Sequence, residues 1–255
     1  MKLFKPVAAL LLCAIFLCTS CQQDRPKKIV VATAANMQLP MEAITKRFAE
    51  KYGIPCELII GSSGKLTAQI IEGAPYDIFV AANIKYPEAV HAAGKALDMP
   101  RIYAYGRLIL WSMSQEAPVS INTLMEPQIR HVAIANPKTA PYGAAALEVL
   151  YHYGLFDEVK NKLVYGESIA QTNQFIASKA AQIGFTAMST VLSPQMKGKG
   201  SWVEIDAGKY TPIGQGVVRL RRVGAKTDDV GAFYDFLFSG EAKELLKDFG
   251  YLMDE

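Results

Sequence analysis

Cysteine is scarce in this chain and is concentrated at its start. Three of the four cysteines, Cys13, Cys18 and Cys21, lie within the first 21 residues, and Cys56 alone lies beyond them. No disulfide can therefore form within the body of the chain, so a large apolar core must supply its stability. A body of about 230 residues is long enough to bury such a core, as one large domain or as two lobes.

A strong net charge of either sign is also absent. The chain has 27 lysine and arginine residues against 24 aspartate and glutamate residues. A surface that binds nucleic acid needs a clear excess of basic side chains, so the composition predicts no nucleic-acid partner. Beyond the first 20 residues the sequence contains no long apolar run, low-complexity tract or repeat of fixed period, which indicates a soluble, globular body.

The residue patterns of common hydrolases and metal sites are missing. A hydrolase with a nucleophile elbow would show a G-x-S-x-G turn, and the sequence has none. Its three histidines, His91, His131 and His152, occur in no H-E-x-x-H motif or Cys/His metal spacing. We therefore expect no enzymatic activity, no cofactor and no metal cation ligated by the protein, with a hydrolase as the less favoured alternative.

One apolar run is present near the start of the chain. It covers residues 7–18, follows Lys2 and Lys5, and ends before two small residues. About a dozen apolar residues are too few to span a bilayer as a helix, whereas a basic flank followed by a short apolar run is typical of an export signal. We expect residues 1–20 to be a signal peptide and the mature chain to act outside the cytoplasmic membrane.

The end of this signal resembles the lipobox of bacterial lipoproteins. In that motif the signal is removed before a cysteine that then carries lipid, and the sequence LCTSC at residues 17–21 puts Cys21 at this position. Leucine is usual three residues before the modified cysteine, whereas this chain has Cys18 there. The resemblance implies a lipid anchor on Cys21, a polar tether over residues 21–27 and a location on the periplasmic side of the membrane. A plain secretory signal is the alternative.

The body of the chain begins with alternating strand and helix patterns. Apolar and β-branched runs predict strands at Lys28–Thr33, Cys56–Ile60 and Asp77–Ala82. Between them lie two stretches with apolar residues at helical spacing, which end at Gly53 and Gly73. The order βαβαβ predicts a parallel sheet, in which ligands bind beyond the carboxyl ends of the strands.

A second unit of the same kind follows. Its strands are predicted at Arg107–Ser112, His131–Ala135, Lys162–Gly166 and Gln182–Ala187. The tail returns to a strand at Gly216–Leu220 and then to a helical stretch with an apolar face. These patterns predict an α/β fold with two lobes that close on a small ligand.

The order of the strands also suggests where the lobes divide. We expect lobe I to contain residues 28–106 and 211–255 and lobe II to contain residues 107–210. Hinges are expected within residues 82–106 and 210–216.

A turn rich in glycine and serine links the second strand to the second helix. Its sequence, GSSGK at residues 61–65, presents backbone N–H groups at a helix N-terminus, where anions bind readily. A phosphate-binding P-loop would need glycine at position 59 and serine or threonine at position 66, where this chain has Ile59 and Leu66. The turn therefore predicts an anion other than a nucleotide. Taken alone, Ser62 and Ser63 fit a simple N-cap equally well.

Uncharged donors lie in the turns that follow the strands. A doubly charged tetrahedral oxyanion has only acceptor atoms, so N–H and O–H groups satisfy it, whereas a buried carboxylate would repel it. Asn36, Ser62, Ser63 and the N–H groups of helix starts are such donors. A site made only of donors disfavours hydrogen phosphate, whose proton would lack an acceptor.

Together these turns resemble those of the periplasmic molybdate-binding proteins of ABC importers. The resemblance covers about residues 28–251 and depends on the whole ordered set, because any one turn alone is weakly specific. The set consists of ATAAN at 32–36, GSSGKL at 61–66, EGAPYDIF at 72–79, NP at 136–137, PYG at 141–143, FYDFL at 233–237 and FGY at 249–251.

The resemblance implies a clamshell of the type II periplasmic-binding-protein fold, each lobe being a mostly parallel sheet flanked by helices. Such a protein is a monomer that captures molybdate or tungstate and delivers it to the permease of an ABC importer. The permease recognises the closed form. Sulfate or another tetrahedral oxyanion is the alternative ligand.

The resemblance also implies which residues hold the anion. Asn36 and Ser63 fall on donors of the first lobe. Tyr142 and Ile169 fall where backbone N–H groups of the second lobe meet the anion. Each of the four residues also fits a structural role in a turn, a cap or the core.

Two further residues are additional candidates, and one position departs from part of the family. Ala35 and Ser62 lie beside the residues that the resemblance selects. Some members add a tyrosine hydroxyl at the position of Ala187. In this chain that contact is therefore missing or is replaced by the hydroxyl of Tyr142 or Ser62.

Overall fold

The computed structural model describes residues 28–114, 119–222 and 227–253. The expected signal peptide over residues 1–20, the expected lipidation site Cys21 and the tether to residue 27 lie outside the described residues. Within the described ranges, none of the helices has the length and apolar character needed to cross a membrane.

The described residues form strands and helices in alternation. The strands are β1 (Ile29–Ala34), β2 (Cys56–Gly61), β3 (Ile78–Ala81), β4 (Arg101–Gly106), β5 (Leu108–Ser112), β6 (Val132–Ala135), β7 (Leu163–Gly166), β8 (Ile183–Ala187), β9 (Ser201–Glu204) and β10 (Ile213–Arg219). The α-helices are α1 (Gln38–Tyr52), α2 (Ser63–Ile71), α3 (Lys85–Ala92), α4 (Pro141–His152), α5 (Phe156–Val159), α6 (Ile169–Ala177), α7 (Met188–Leu192), α8 (Thr227–Leu237) and α9 (Gly240–Asp248). The 3-10 helices are Ala35–Met37, Ile121–Met125, Lys160–Lys162 and Ala207–Lys209.

The strands build two five-stranded sheets, one for each lobe. The first sheet has the order β2-β1-β3-β10-β4, and the second has the order β7-β6-β8-β5-β9. In the first sheet β10 alone runs against its neighbours, and in the second sheet β5 alone does so. The expected fold of two mostly parallel α/β lobes is therefore confirmed.

The predicted helical faces are buried against these sheets. In α1, Met41, Ile44 and Phe48 are buried because their spacing puts them on one side of the helix. The ring of Phe48 meets that of Phe233 in α8 edge to face, with 5.0 Å between centroids. The C-terminal helices therefore complete the core of the first lobe, although they follow the whole second lobe in sequence.

The structure differs from the sequence-based expectation over residues 82–106. The sequence patterns predicted no strand or helix there, whereas the chain forms α3 and the edge strand β4 of the first sheet, and the hinge expected within this stretch stays a prediction. An edge strand is buried in an irregular pattern, so it shows no continuous apolar run that would predict it. The chain passes from the first sheet to the second between Gly106 and Leu108, and it returns between β9 and β10.

Candidate functional site

Four turns at the carboxyl ends of β1, β2, β6 and β7 face one another across the two lobes. Between them lies a small cavity. All six residues expected to hold the ligand line it. The lining residues are Ala34, Ala35, Asn36, Ser62, Ser63, Ala82, Ala140, Pro141, Tyr142 and Ile169.

The first turn follows β1 and forms a short 3-10 helix, Ala35–Met37, that runs into α1. The first N–H groups of such a helix have no partner within the helix, so those of Ala35 and Asn36 are available to a ligand. The side chain of Asn36 is used elsewhere: its Nδ2 donates to Gln215 Oε1 at 2.8 Å and to Tyr251 Oη at 3.0 Å. Both amide hydrogens are thereby engaged, which leaves the backbone N–H as the donor of Asn36.

The second turn follows β2 and starts α2. Ser62 occupies the N-cap position, but its side chain makes no capping hydrogen bond to the described backbone. Ser63 is buried, and its Oγ accepts the N–H of Ala82 at 3.0 Å. A hydroxyl that accepts one hydrogen bond still has its own proton to donate. The Ser63 side chain is therefore oriented by Ala82 and retains a donor at the cavity, which is more than a simple cap provides.

The third turn follows β6 and starts α4. Pro141 is the first residue of this helix, where its missing N–H and fixed φ are well tolerated. Tyr142 is the second residue, and its N–H has no acceptor within the helix. The fourth turn follows β7, and Ile169 begins α6 after the N-cap residue Ser168, whose Oγ accepts the N–H of Gln171.

The side chains of Tyr142 and Ile169 have a second role in the core of the second lobe. Both are buried in the apolar cluster that also contains Ala34 and Ala82 of the first lobe. The structural and the ligand-binding interpretations of these residues are therefore compatible, because packing involves their side chains, whereas their backbone N–H groups lie at helix starts and have no acceptor within the helix.

The hydroxyl of Tyr142 points toward the passage between the sheets. A Cβ added to Gly106 would overlap this hydroxyl and lie 3.0 Å from Gln215 Nε2, so only glycine fits at position 106. The Tyr142 hydroxyl is buried beside that of Tyr251. Burial raises its pKa well above the usual value, and neighbouring Tyr251 adds to the shift. Ala187 is buried at the end of β8 and is not among the residues that line the cavity.

The cavity is lined by uncharged residues, several of which are small and apolar. None of the described residues that line it carries a formal charge. Its donors are the Ser62 and Ser63 hydroxyls and the N–H groups at the starts of helices from both lobes, whose dipoles carry partial positive charge toward the cavity. Such a donor set suits an anion, and the described lining contains no carboxylate that would repel one.

Several contacts hold the two lobes together beside the cavity. The N–H of Gly64 donates to the carbonyl oxygen of Thr139 at 2.9 Å. Ser189 Oγ, on α7 directly after β8, donates to the carbonyl oxygen of Asn36 at 2.9 Å. At the surface, Lys65 Nζ lies 3.9 Å from Glu167 Oε2, and both side chains are largely exposed. The structure is therefore that of a closed clamshell.

Sequence reasoning missed two parts of this region. Ala82 directly follows β3, and the rule that ligands sit beyond strand carboxyl ends applies to it as much as to the other turns. The polar residues that orient the first turn, Gln215, Tyr251 and Ser189, lie between 153 and 215 residues from Asn36 in sequence. No local pattern signals contacts of that separation.

Comparison with known proteins identifies the family. Residues 29–252 match the model of a family described as bacterial extracellular solute-binding protein. The chain is 36% identical to the molybdate-binding protein ModA of Rhodobacter capsulatus over 228 residues, which cover 89% of each chain. It is 37% identical to the molybdate-binding protein ModA of Azotobacter vinelandii over 226 residues, which cover 88% of this chain and 89% of the relative.

A solved structure agrees with these relatives. The Azotobacter vinelandii periplasmic molybdate-binding protein superposes with a TM-score of 0.85 at 33% identity, and the match covers 89% of this chain and 100% of the other. The region that the family model matches, residues 29–252, includes both sheets and every described residue that lines the cavity. This chain is a member of the bacterial extracellular solute-binding protein family.

Proposed function

We propose that this protein captures molybdate or tungstate outside the cytoplasmic membrane and delivers it to the permease of an ABC importer. The observation that carries the proposal is the uncharged cavity between the lobes, at which four helix-starting turns present N–H and O–H donors. Relatives at 36% and 37% identity are named molybdate-binding proteins, which supports this ligand. The family acts in solute binding, so the role is transport without chemical change.

The donors available are sufficient for tight binding. We assign one hydrogen bond each to the Ser63 hydroxyl and to the N–H groups of Asn36, Tyr142 and Ile169, with Ala35 and Ser62 beside them. A hydrogen bond to a charged group contributes about 1.5 to 3 kcal/mol net, whereas micromolar affinity requires about 8 kcal/mol. Four such bonds therefore account for micromolar binding without any lysine or arginine in the cavity.

Capture is coupled to movement of the lobes. Lobe I comprises residues 28–106 and 211–255, and lobe II comprises residues 107–210. Asn36 and Ser63 belong to lobe I, whereas Tyr142 and Ile169 belong to lobe II, so an anion bound by all four favours the closed form. The permease then binds the closed protein, which is a monomer.

Calorimetry with four oxyanions tests the ligand. The chain from residue 25 onward is titrated with molybdate, tungstate, sulfate and phosphate at neutral pH. We expect one-to-one binding of molybdate and tungstate with weaker binding of sulfate and least of phosphate, which carries a proton that a donor-only cavity does not accept. Tight sulfate binding with weak molybdate binding would instead support the alternative oxyanion. Turnover of a chromogenic ester would support the hydrolase.

We also propose that Cys21 carries a lipid anchor on the periplasmic side of the membrane. The support is the sequence LCTSC at residues 17–21, which ends the export signal. Full-length protein produced in a Gram-negative host should fractionate with membranes, and a Cys21→Ser variant should appear in the soluble periplasmic fraction. A parent chain that is found only in the soluble fraction would favour the plain secretory signal.

A further inference from the structure

The carbonyl oxygen of Asn36 accepts one hydrogen bond from a hydroxyl group of each lobe. Ser189 Oγ of the second lobe donates to it at 2.9 Å, and Tyr251 Oη donates to it at 3.0 Å. Tyr251 belongs to the first lobe, because the next residue, Leu252, forms a β-bridge with Tyr105 of β4. All three residues that meet at this carbonyl are almost fully buried. This carbonyl is therefore a buried contact between the lobes, directly behind the first turn of the cavity.

Tyr251 also fixes the side chain of Asn36. Its hydroxyl accepts one hydrogen of Asn36 Nδ2 at 3.0 Å, while Gln215 Oε1 accepts the other at 2.8 Å. Tyr251 thus makes hydrogen bonds to both the backbone and the side chain of Asn36, and these bonds set the direction of the Asn36 N–H. The contact from Ser189 is different, because separation of the lobes breaks it.

We propose that Tyr251 and Ser189 are positioning residues that couple closure of the lobes to the alignment of the first anion-binding turn. The proposal rests on the oxyanion function proposed above. Tyr251 aligns the turn in the open and closed forms, whereas Ser189 adds its hydrogen bond only on closure. Ligand binding and the Ser189 contact both require the closed form, so each strengthens the other.

The chain offers a matched control for the Tyr251 hydroxyl. Tyr103, in β4, is buried in the same apolar cluster as Tyr251, but its hydroxyl has no hydrogen-bond partner within the described part of the chain. Tyr103→Phe and Tyr251→Phe therefore remove the same atom from similar surroundings, and only Tyr251→Phe removes hydrogen bonds to Asn36. Thermal unfolding of each variant verifies that it is folded.

Binding kinetics measure the coupling. Stopped-flow fluorescence with molybdate should show that Ser189→Ala weakens binding about 3- to 10-fold, the range expected for loss of one hydrogen bond between neutral groups. Tyr251→Phe loses two hydrogen bonds to Asn36 and should weaken binding at least as much. For Ser189→Ala the change should lie in the dissociation rate, because its contact forms after capture. Tyr103→Phe should bind molybdate with an affinity within about twofold of that of the parent. An effect of this size is typical of a substitution that removes no such contact.

A second readout needs no ligand and separates the two proposals. Hydrogen–deuterium exchange of residues 34–41 in the ligand-free protein should be faster in Tyr251→Phe than in the parent and unchanged in Ser189→Ala and Tyr103→Phe. If the parent binds none of the four oxyanions, the proposed ligand is wrong, and the exchange result still decides whether Tyr251 orients the turn. If Tyr251→Phe matches Tyr103→Phe in both exchange and binding, the positioning role is refuted.

Discussion

Gly64 lies at a contact between the two lobes, so replacing it with alanine tests whether the lobes close on the ligand. Its N–H donates to the carbonyl oxygen of Thr139 at 2.9 Å. An added Cβ would lie 3.0 Å from Thr139 Cα, 3.1 Å from Thr139 Cβ and 3.2 Å from that carbonyl oxygen. These distances are shorter than an ordinary van der Waals contact, so the second lobe must move back by a few tenths of an ångström to admit the methyl group.

Gly64→Ala should act in opposite directions on folding and on binding. Gly64 is the second residue of α2, where alanine is favoured over glycine by up to about 1 kcal/mol. We therefore expect the ligand-free variant to be as stable as the parent or slightly more stable. Overpacking of a tight contact typically costs about 1 to 3 kcal/mol, which corresponds to about 5- to 150-fold weaker molybdate binding if the contact exists only in the closed form.

The assay is calorimetric titration with molybdate, together with thermal unfolding of the ligand-free protein. Gly240→Ala is the matched control, because Gly240 is the first residue of α9 and an added Cβ would meet no atom within 4 Å among the described residues. Gly240→Ala should leave affinity unchanged. A Gly64→Ala variant that binds molybdate as tightly as the parent would refute the argument that these lobes approach each other around the bound anion.

Four variants test individual side chains. Ser63→Ala should weaken molybdate binding by about 10- to 150-fold in calorimetry, since it removes a hydrogen bond to a charged group, and Ser62→Ala should have a smaller effect. Lys65→Ala should change affinity less than about twofold even at low salt, because its ion pair with Glu167 is exposed. Burial raises the pKa of Tyr251 to about 12, so the folded state keeps a proton that the unfolded state releases near its usual pKa of 10. The free energy of unfolding should therefore fall between pH 10 and 12, and in urea titrations Tyr251→Phe should lose about 1.4 kcal/mol less per pH unit in that window.

The local signals in the sequence were enough to predict the alternation of elements and the turns that line the cavity. Strand β1 and helix α1 were recognisable because an apolar run and an apolar face at helical spacing follow each other without interruption. The turn at Ser62 and Ser63 was recognisable because glycine and serine separate a strand from a helix. The structure of such segments is determined by residues that lie within a few positions of one another in the chain.

Contacts between distant segments were not predictable in the same way. The edge strand β4 alternates irregularly between buried and exposed residues, so no strand was predicted within residues 82–106. The role of the Asn36 side chain was also not evident, because its partners Gln215 and Tyr251 become neighbours only after the C-terminal segment returns to the first sheet. A single sequence shows which hydrogen-bond donors are available, whereas the fold determines which of them face the ligand.

The most direct test of the proposed function is an anomalous difference map from crystals grown with molybdate, recorded at the molybdenum absorption edge. The account predicts a single strong peak in the cavity between the lobes. Oxygen atoms of the anion should lie about 2.7 to 3.2 Å from Ser63 Oγ and from the backbone nitrogens of Asn36, Tyr142 and Ile169. A molybdenum peak outside this cavity, or an anion in it that contacts only one lobe, would contradict the account.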